Sequence, residues 1–104
     1  MQEKTLEQRI CRYVRLCGGR AYKFVSPGCP GVPDRLCIMP YGFMVFVEVK
    51  RPGRDNGLSL KQKKVIKQLR AMGQHVWVIN DFDDFRERLK WQGYEHKLGD
   101  KNAD

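Results

Sequence analysis

The run Phe43-Met44-Val45-Phe46-Val47-Glu48-Val49 is apolar at every position but one. A segment rich in aromatic and β-branched residues, with no polar alternation, has no face to give to solvent. It reads as a strand inside a sheet covered on both sides. Such a strand obliges the rest of the chain to supply neighbouring strands and layers above and below. With 104 residues and 41% hydrophobic content the chain is long and apolar enough for one packed domain of this kind.

The flanking segments supply those partners. From Glu3 to Cys17 the apolar residues Leu6, Ile10, Tyr13, Val14 and Cys17 recur at helical spacing, and Gly18-Gly19 ends the helix. Ala21 to Val25 is a short strand, and Ser26 to Pro33 is dense in turn formers. Arg35 to Met39 and Phe43 to Lys50 flank Pro40-Tyr41-Gly42, a hairpin signature with a three-residue connection. Arg51 to Leu58 has the composition of a mobile loop. Ser59-Leu60-Lys61-Gln62 opens a second helix with a capping-box pattern, and Val65, Ile66, Leu69 and Met72 form its stripe before Gly73. His75 to Ile79 is a fourth strand, parallel to the third because a helix joins them. Asp81 caps a third helix carrying Phe82, Phe85 and Leu89. The expectation is an α/β fold: one domain over 1–94 with a mixed four-stranded sheet flanked by helices, and a polar tail over 95–104 that frays.

Charge narrows the partners. The chain carries 20 Lys+Arg against 12 Asp+Glu, a net charge of +8, and residues 51–80 alone hold seven basic residues and one acid. A basic central segment points to a polyanion, most often nucleic acid, or else to a solvated helix face. No stretch approaches the ~20 apolar residues of a membrane span, and the first residues lack the apolar run of a secretory signal, so the expected location is the cytoplasm. Cys11, Cys17, Cys29 and Cys37 include no Cys-x-x-Cys pair, and His75 and His96 lack ligand-like spacing. Small buried hydrophobes are the expected role for these cysteines.

Polar residues that interrupt apolar patterns carry the chemistry. Glu48 and Lys50 end the most hydrophobic strand and, by alternation, share one face. If the hairpin is centred on Tyr41, residues whose numbers sum to 82 face each other, which sets Asp34 opposite Glu48. Two carboxylates held about 5 Å apart repel unless a cation lies between them, and the hard, oxygen-seeking Mg²⁺ is the expected guest. Glu7 borders the buried stripe of the first helix, as either an edge residue or a third acid. Gln62 lies within the stripe of the second helix, pointing toward the sheet, while also occupying the capping-box position. The two roles are compatible.

Gly31-Val32-Pro33-Asp34, then Glu48-Val49-Lys50, then Leu58-Ser59 followed by Gln62, resembles the PD-(D/E)XK nucleases, specifically the stand-alone type of the virus-type replication-repair nuclease family, VRR-NUC. The resemblance spans roughly residues 3–90. It implies a restriction-endonuclease-like α-β-β-β-α-β core and a metal-dependent endodeoxyribonuclease. Asp34 and Glu48 would bind Mg²⁺, for which Mn²⁺ would substitute, with the Val49 carbonyl as a further ligand. Glu7 would match the first-helix acid, which joins the metal site directly or through water. Lys50 would position and help activate water, and Gln62 would match the glutamine of the following helix. The resemblance further implies a homodimer acting on branched DNA such as four-way (Holliday) junctions, in the cytoplasm of a bacterium or phage-infected host.

Arg35, Arg51, Arg54, Lys61 and Lys64, near the active edge, are the candidates for phosphate contacts. The first helix, or the third with Phe82, Phe85 and Trp91, is the candidate dimer interface. Competing readings are a non-catalytic basic DNA-binding module on the same fold, a sequence-specific restriction-type endonuclease, and a redox or zinc protein built on the cysteines.

Overall fold

The computed structural model describes residues 3–51 and 57–97. Its elements run α1 (Glu3–Leu16), β1 (Arg20–Lys23), β2 (Arg35–Ile38), β3 (Met44–Val49), α2 (Leu60–Ala71), β4 (Val76–Ile79) and α3 (Phe82–Trp91). The four strands form one sheet in the order β1-β2-β3-β4. The first two pairings are antiparallel and β3–β4 is parallel. This is the mixed sheet expected from the sequence. Arg54 and the rest of 52–56, together with 98–104, lie outside the described residues.

The hairpin register follows the sum of 82, with Arg35 opposite Val47, Leu36 opposite Phe46 and Ile38 opposite Met44. The connection is longer than three residues at strand level. Met39 N donates to Phe43 O at 2.8 Å and closes a 3-10 turn over Pro40–Gly42. Tyr41 adopts φ 65° there, in the left-handed region, with its ring fully in solvent.

Alternation sorts the sheet into two faces. Val45, Val47, Val49, Cys37, Trp77 and Ile79 pack with Leu6, Ile10, Tyr13 and Val14 of α1 and with Phe82, Phe85 and Leu89 of α3 in one cluster. Each such large apolar side chain contributes about 1.5–3 kcal/mol by leaving water. Phe82 and Phe85 are therefore core residues and are not available to a dimer interface, whereas Trp91 is 82% exposed. On the opposite face α2 buries Val65 and Ile66, where Val76 of β4 is also buried.

That second layer is incomplete, so β3 is covered on both faces only toward its C-terminal end, where Glu48 lies. Tyr22 (57%) and Ile38 (40%), on the α2 side of β1 and β2, remain exposed. The stripe expected of α2 is also shorter than its periodicity implied. Met72 is 66% exposed because it is the C-cap, past the last turn that meets the sheet.

The C-terminal boundary moves outward from 94. His96 N donates to Tyr13 Oη at 3.1 Å, and Tyr94 Oη donates to Pro40 O. The chain after α3 thus returns to the domain rather than fraying from residue 95. All four cysteines are free. Cys37 is buried and desolvation pushes its thiol up to about 12, whereas Cys29 is exposed and is no core residue. Among the described residues no helix is long and apolar enough to cross a membrane.

Candidate active site

The segment between β1 and β2 is locked against α2 before it delivers Asp34. Gly31 has φ +95°, and a Cβ there would stand 2.9 Å from the carbonyl carbon and oxygen of Lys61 and 3.1 Å from Gln62 N. Only a residue without a side chain fits both the backbone conformation and the approach. Pro33, fully buried, then fixes the entry to Asp34. Asp34 O accepts from Phe24 N, and Asp34 Oδ2 accepts from Val49 N at 2.9 Å. The carboxylate is therefore tied to the end of β3.

Glu48 reaches the same place from β3. It is 2% exposed, the one acidic residue in the buried set. Its Oε2 accepts from Gln62 Nε2 at 3.0 Å and pairs with Lys50 Nζ at 3.1 Å. Its Oε1 is buried with no hydrogen-bond partner. Desolvation holds the Glu48 carboxyl above the usual carboxylate range, the Asp34 charge pushes it further up, and Lys50 opposes both. A buried carboxylate oxygen left without a partner beside a second acid is costly in a protein interior. A divalent cation held by oxygen ligands removes both penalties, so the donor set fits Mg²⁺.

Gln62 performs both roles that its position allowed. Its Oε1 accepts from Ser59 N at 2.9 Å while Ser59 Oγ accepts from Gln62 N at 3.1 Å, completing the capping box. The same Oε1 accepts from Lys50 Nζ at 3.2 Å. One side chain thus ties the start of α2 to both charged residues at the end of β3.

Glu7 is placed differently. Its Oε2 pairs with Arg35 Nε at 2.6 Å, and Arg35 Nη1 donates to Ala21 O at 3.3 Å. Both are on the α1 side of the sheet, whereas Glu48 faces α2. Among the described residues no three His, Cys, Asp or Glu side chains gather to hold a metal. The structure therefore brings Asp34, Glu48, Lys50 and Gln62 together and leaves Glu7 outside that group. Of the phosphate-contact candidates, Arg51, Lys61 and Lys64 are exposed, while Arg35 is committed to internal partners.

No protein-family model matches the chain. At 42% identity over 84 residues, 80% of this chain and 87% of the relative, it is similar to "Putative nuclease p44" of Acyrthosiphon pisum secondary endosymbiont phage 1. A solved structure described as "VRR_NUC domain" shares the fold with a TM-score of 0.79 and 26% identity, over 85% of this chain and 94% of that one. The chain belongs to the VRR-NUC nuclease family.

Within this VRR-NUC domain two relationships escaped sequence reasoning. The contact of Gly31 with Lys61 depends on how α2 crosses the sheet and leaves no periodic signal. The Glu7–Arg35 pair was legible in part. Arg35 shares its face of β2 with Cys37, so its parity aimed it at α1 rather than at an open surface.

Proposed function

We propose that the chain is a Mg²⁺-dependent endodeoxyribonuclease, with Mn²⁺ able to substitute, that hydrolyses phosphodiester bonds in branched DNA such as four-way junctions. The observation that carries this reading is the buried Glu48 carboxylate, with one oxygen bound to Gln62 and Lys50 and the other unpartnered, beside Asp34. Asp34, Glu48 and the Val49 carbonyl would hold the cation, which when bound neutralises charge on phosphoryl oxygens and acidifies water.

The protein's own groups account for the rest of the arrangement. An ammonium has three N–H donors. Those of Lys50 engage Glu48 Oε2 and Gln62 Oε1, which leaves a third to orient the attacking water or the scissile phosphate. Gln62 fixes Lys50 and Glu48 relative to each other, so the ammonium does not fold away. Glu7 holds Arg35 immediately next to Asp34 and acts as a positioning residue. Arg51, Lys61 and Lys64 sit at the same end as exposed cations suited to phosphates.

Cutting both strands of a branch requires two such sites, so the working form is a homodimer. Exposed Trp91, Tyr22 and Ile38 are apolar surface that a second copy could cover.

The test uses linear, nicked, flapped and four-way-junction DNA in Mg²⁺, Mn²⁺ or EDTA, with Asp34→Asn and Lys50→Ala alongside. The expected result is metal-dependent cutting that favours branched DNA, lost in both variants while folding is retained. Cleavage that persists in EDTA overturns the mechanism. Binding without cleavage would identify a non-catalytic module, and cutting at one base sequence in every substrate would identify a restriction-type enzyme.

A further inference from the structure

The layer that α2 forms over the sheet stops short of β1 and β2, and the face it leaves open is continuous with the candidate site. Register sets the side chains of that face in rows. Tyr22 lies opposite Leu36, and Leu36 opposite Phe46. The next row runs from Phe24, whose N–H donates to Asp34 O at 2.9 Å, through Asp34 to Glu48. Asp34 is thus flanked by Glu48 on one side and by Phe24 on the other. Successive rows on one face are two residues apart, about 7 Å along the strands. The Phe24 and Phe46 rings meet at 5.5 Å between centroids, tilted by 43°, and both stay half-buried. Tyr22, beside them, is 57% exposed and among the described residues stacks on no other ring.

An exposed aromatic ring that stacks on no neighbour contributes little to the fold. Beside a candidate phosphodiester site, it suits a ligand with a flat apolar face. Nucleobases have such faces, but in a duplex they are turned toward each other, and only a base out of its stack can lie on a protein ring. Charge agrees with that occupant. Asp34 and Glu48 are the only acids at the β1–β3 positions of this face, and exposed Arg20, opposite Ile38 in the row beyond Tyr22, is a cation placed to meet a strand phosphate. Size agrees as well. Taken alone, Tyr22 and Ile38 offer far less than the about 800 Å² that each partner of a stable dimer buries, whereas a single base needs one ring. We propose that the Tyr22–Phe24–Phe46 face binds unpaired nucleotides of the strand whose phosphodiester lies at Asp34 and Glu48, with a base stacked on Tyr22. This assignment rests on the nuclease reading and deepens it, because the part of a branch that the protein selects is then its unpaired nucleotides.

The test compares wild type with Tyr22→Ala, Tyr22→Leu and Tyr22→Trp in the full chain, with circular dichroism to verify folding. Binding is measured in EDTA across a salt series to a four-way junction with unpaired thymines at its centre, to the same junction fully paired, and to a linear duplex. Cleavage of all of them is measured in Mg²⁺ and in Mn²⁺. Wild type should prefer the open junction to the paired one. In Tyr22→Ala that preference should fall by at least about fivefold, while the slope of log affinity against log salt is unchanged, because a stacked base is not a phosphate contact. Tyr22→Trp should keep the preference, and Tyr22→Leu, apolar but without a ring, should lose it. Equal losses on every DNA, a preference kept in Tyr22→Leu, or wild type binding open and paired junctions alike would overturn the assignment. So would a smaller sedimenting species for Tyr22→Ala than for wild type, which would show that a second copy covers this face. If wild-type protein cuts no DNA with either metal, the nuclease reading fails, and the EDTA binding series still decides whether the face holds unpaired nucleotides.

Discussion

Gln62 Nε2 donates to Glu48 Oε2 at 3.0 Å while the other end of the same amide caps its own helix. A helix-start signal and a contact of the candidate site therefore share one side chain. Gln62→Ala removes half of the capping box and two contacts to buried charge, and should destabilise the fold by about 1–3 kcal/mol. Gln62→Glu preserves the cap acceptor but sets a further carboxylate against Glu48, a repulsion that a bound cation relieves, so it should recover more metal affinity than stability. Urea denaturation together with Mg²⁺ titration separates the two effects. Equal recovery of both in Gln62→Glu would contradict the shared role.

The pH dependence follows from Glu48. Its carboxyl is raised above the ordinary 4.5, first by desolvation and then by Asp34. A group raised in the folded state contributes stability that is fully present below its unfolded value and is lost as pH climbs through the folded value. In EDTA, Glu48→Gln should therefore melt higher than wild type at neutral pH, and the difference should shrink toward about pH 4. In wild type the thermal shift produced by Mg²⁺ should grow from acid to neutral pH, and in Glu48→Gln it should be largely lost. A wild-type-to-variant difference that is flat across this range would show that Glu48 ionises without penalty.

Gly31 offers a purely steric test. Gly31→Ala adds a Cβ 2.9 Å from the Lys61 backbone at positive φ, and should cost about 1–3 kcal/mol. Because the same contact holds Asp34 in register with Gln62, turnover should fall by more than the loss of folded protein. Gly28→Ala is the matched control, since a Cβ there meets nothing within 4 Å. Thermal melts and single-turnover cleavage of both variants check the prediction. Gly31→Ala with full activity would remove the positional role.

The segment after α3 makes a fourth prediction. Ending the chain at Gly93 strips Tyr13 Oη of the His96 N donor and removes the Tyr94 ring stacked on Phe43 at 5.9 Å. A loss of about 2–4 kcal/mol is expected from two part-buried hydrogen bonds, His96 N to Tyr13 Oη and Tyr94 Oη to Pro40 O, an aromatic contact and lost apolar cover. A melt of the truncated chain indistinguishable from that of the full chain would return residues 95–97 to the status of a tail.

Sequence alone determined what depends on neighbours along the chain or across one turn. The Ser59–Gln62 capping box, the alternation that puts Glu48 and Lys50 on one face, and the hairpin register that brings Asp34 to the level of Glu48 all follow from helix and strand periodicity. Local hydrogen bonding enforces each of them. Tertiary structure decided what depends on how layers meet. Glu7 could border the core in any packing, and only the seating of α1 on β2 gives it to Arg35 rather than to the carboxylate pair. Gly31 could serve many turns, and only the approach of α2 requires it to lack a side chain. Side-chain direction within an element is set by backbone geometry, whereas the meeting of distant elements is set by the packing of the whole core.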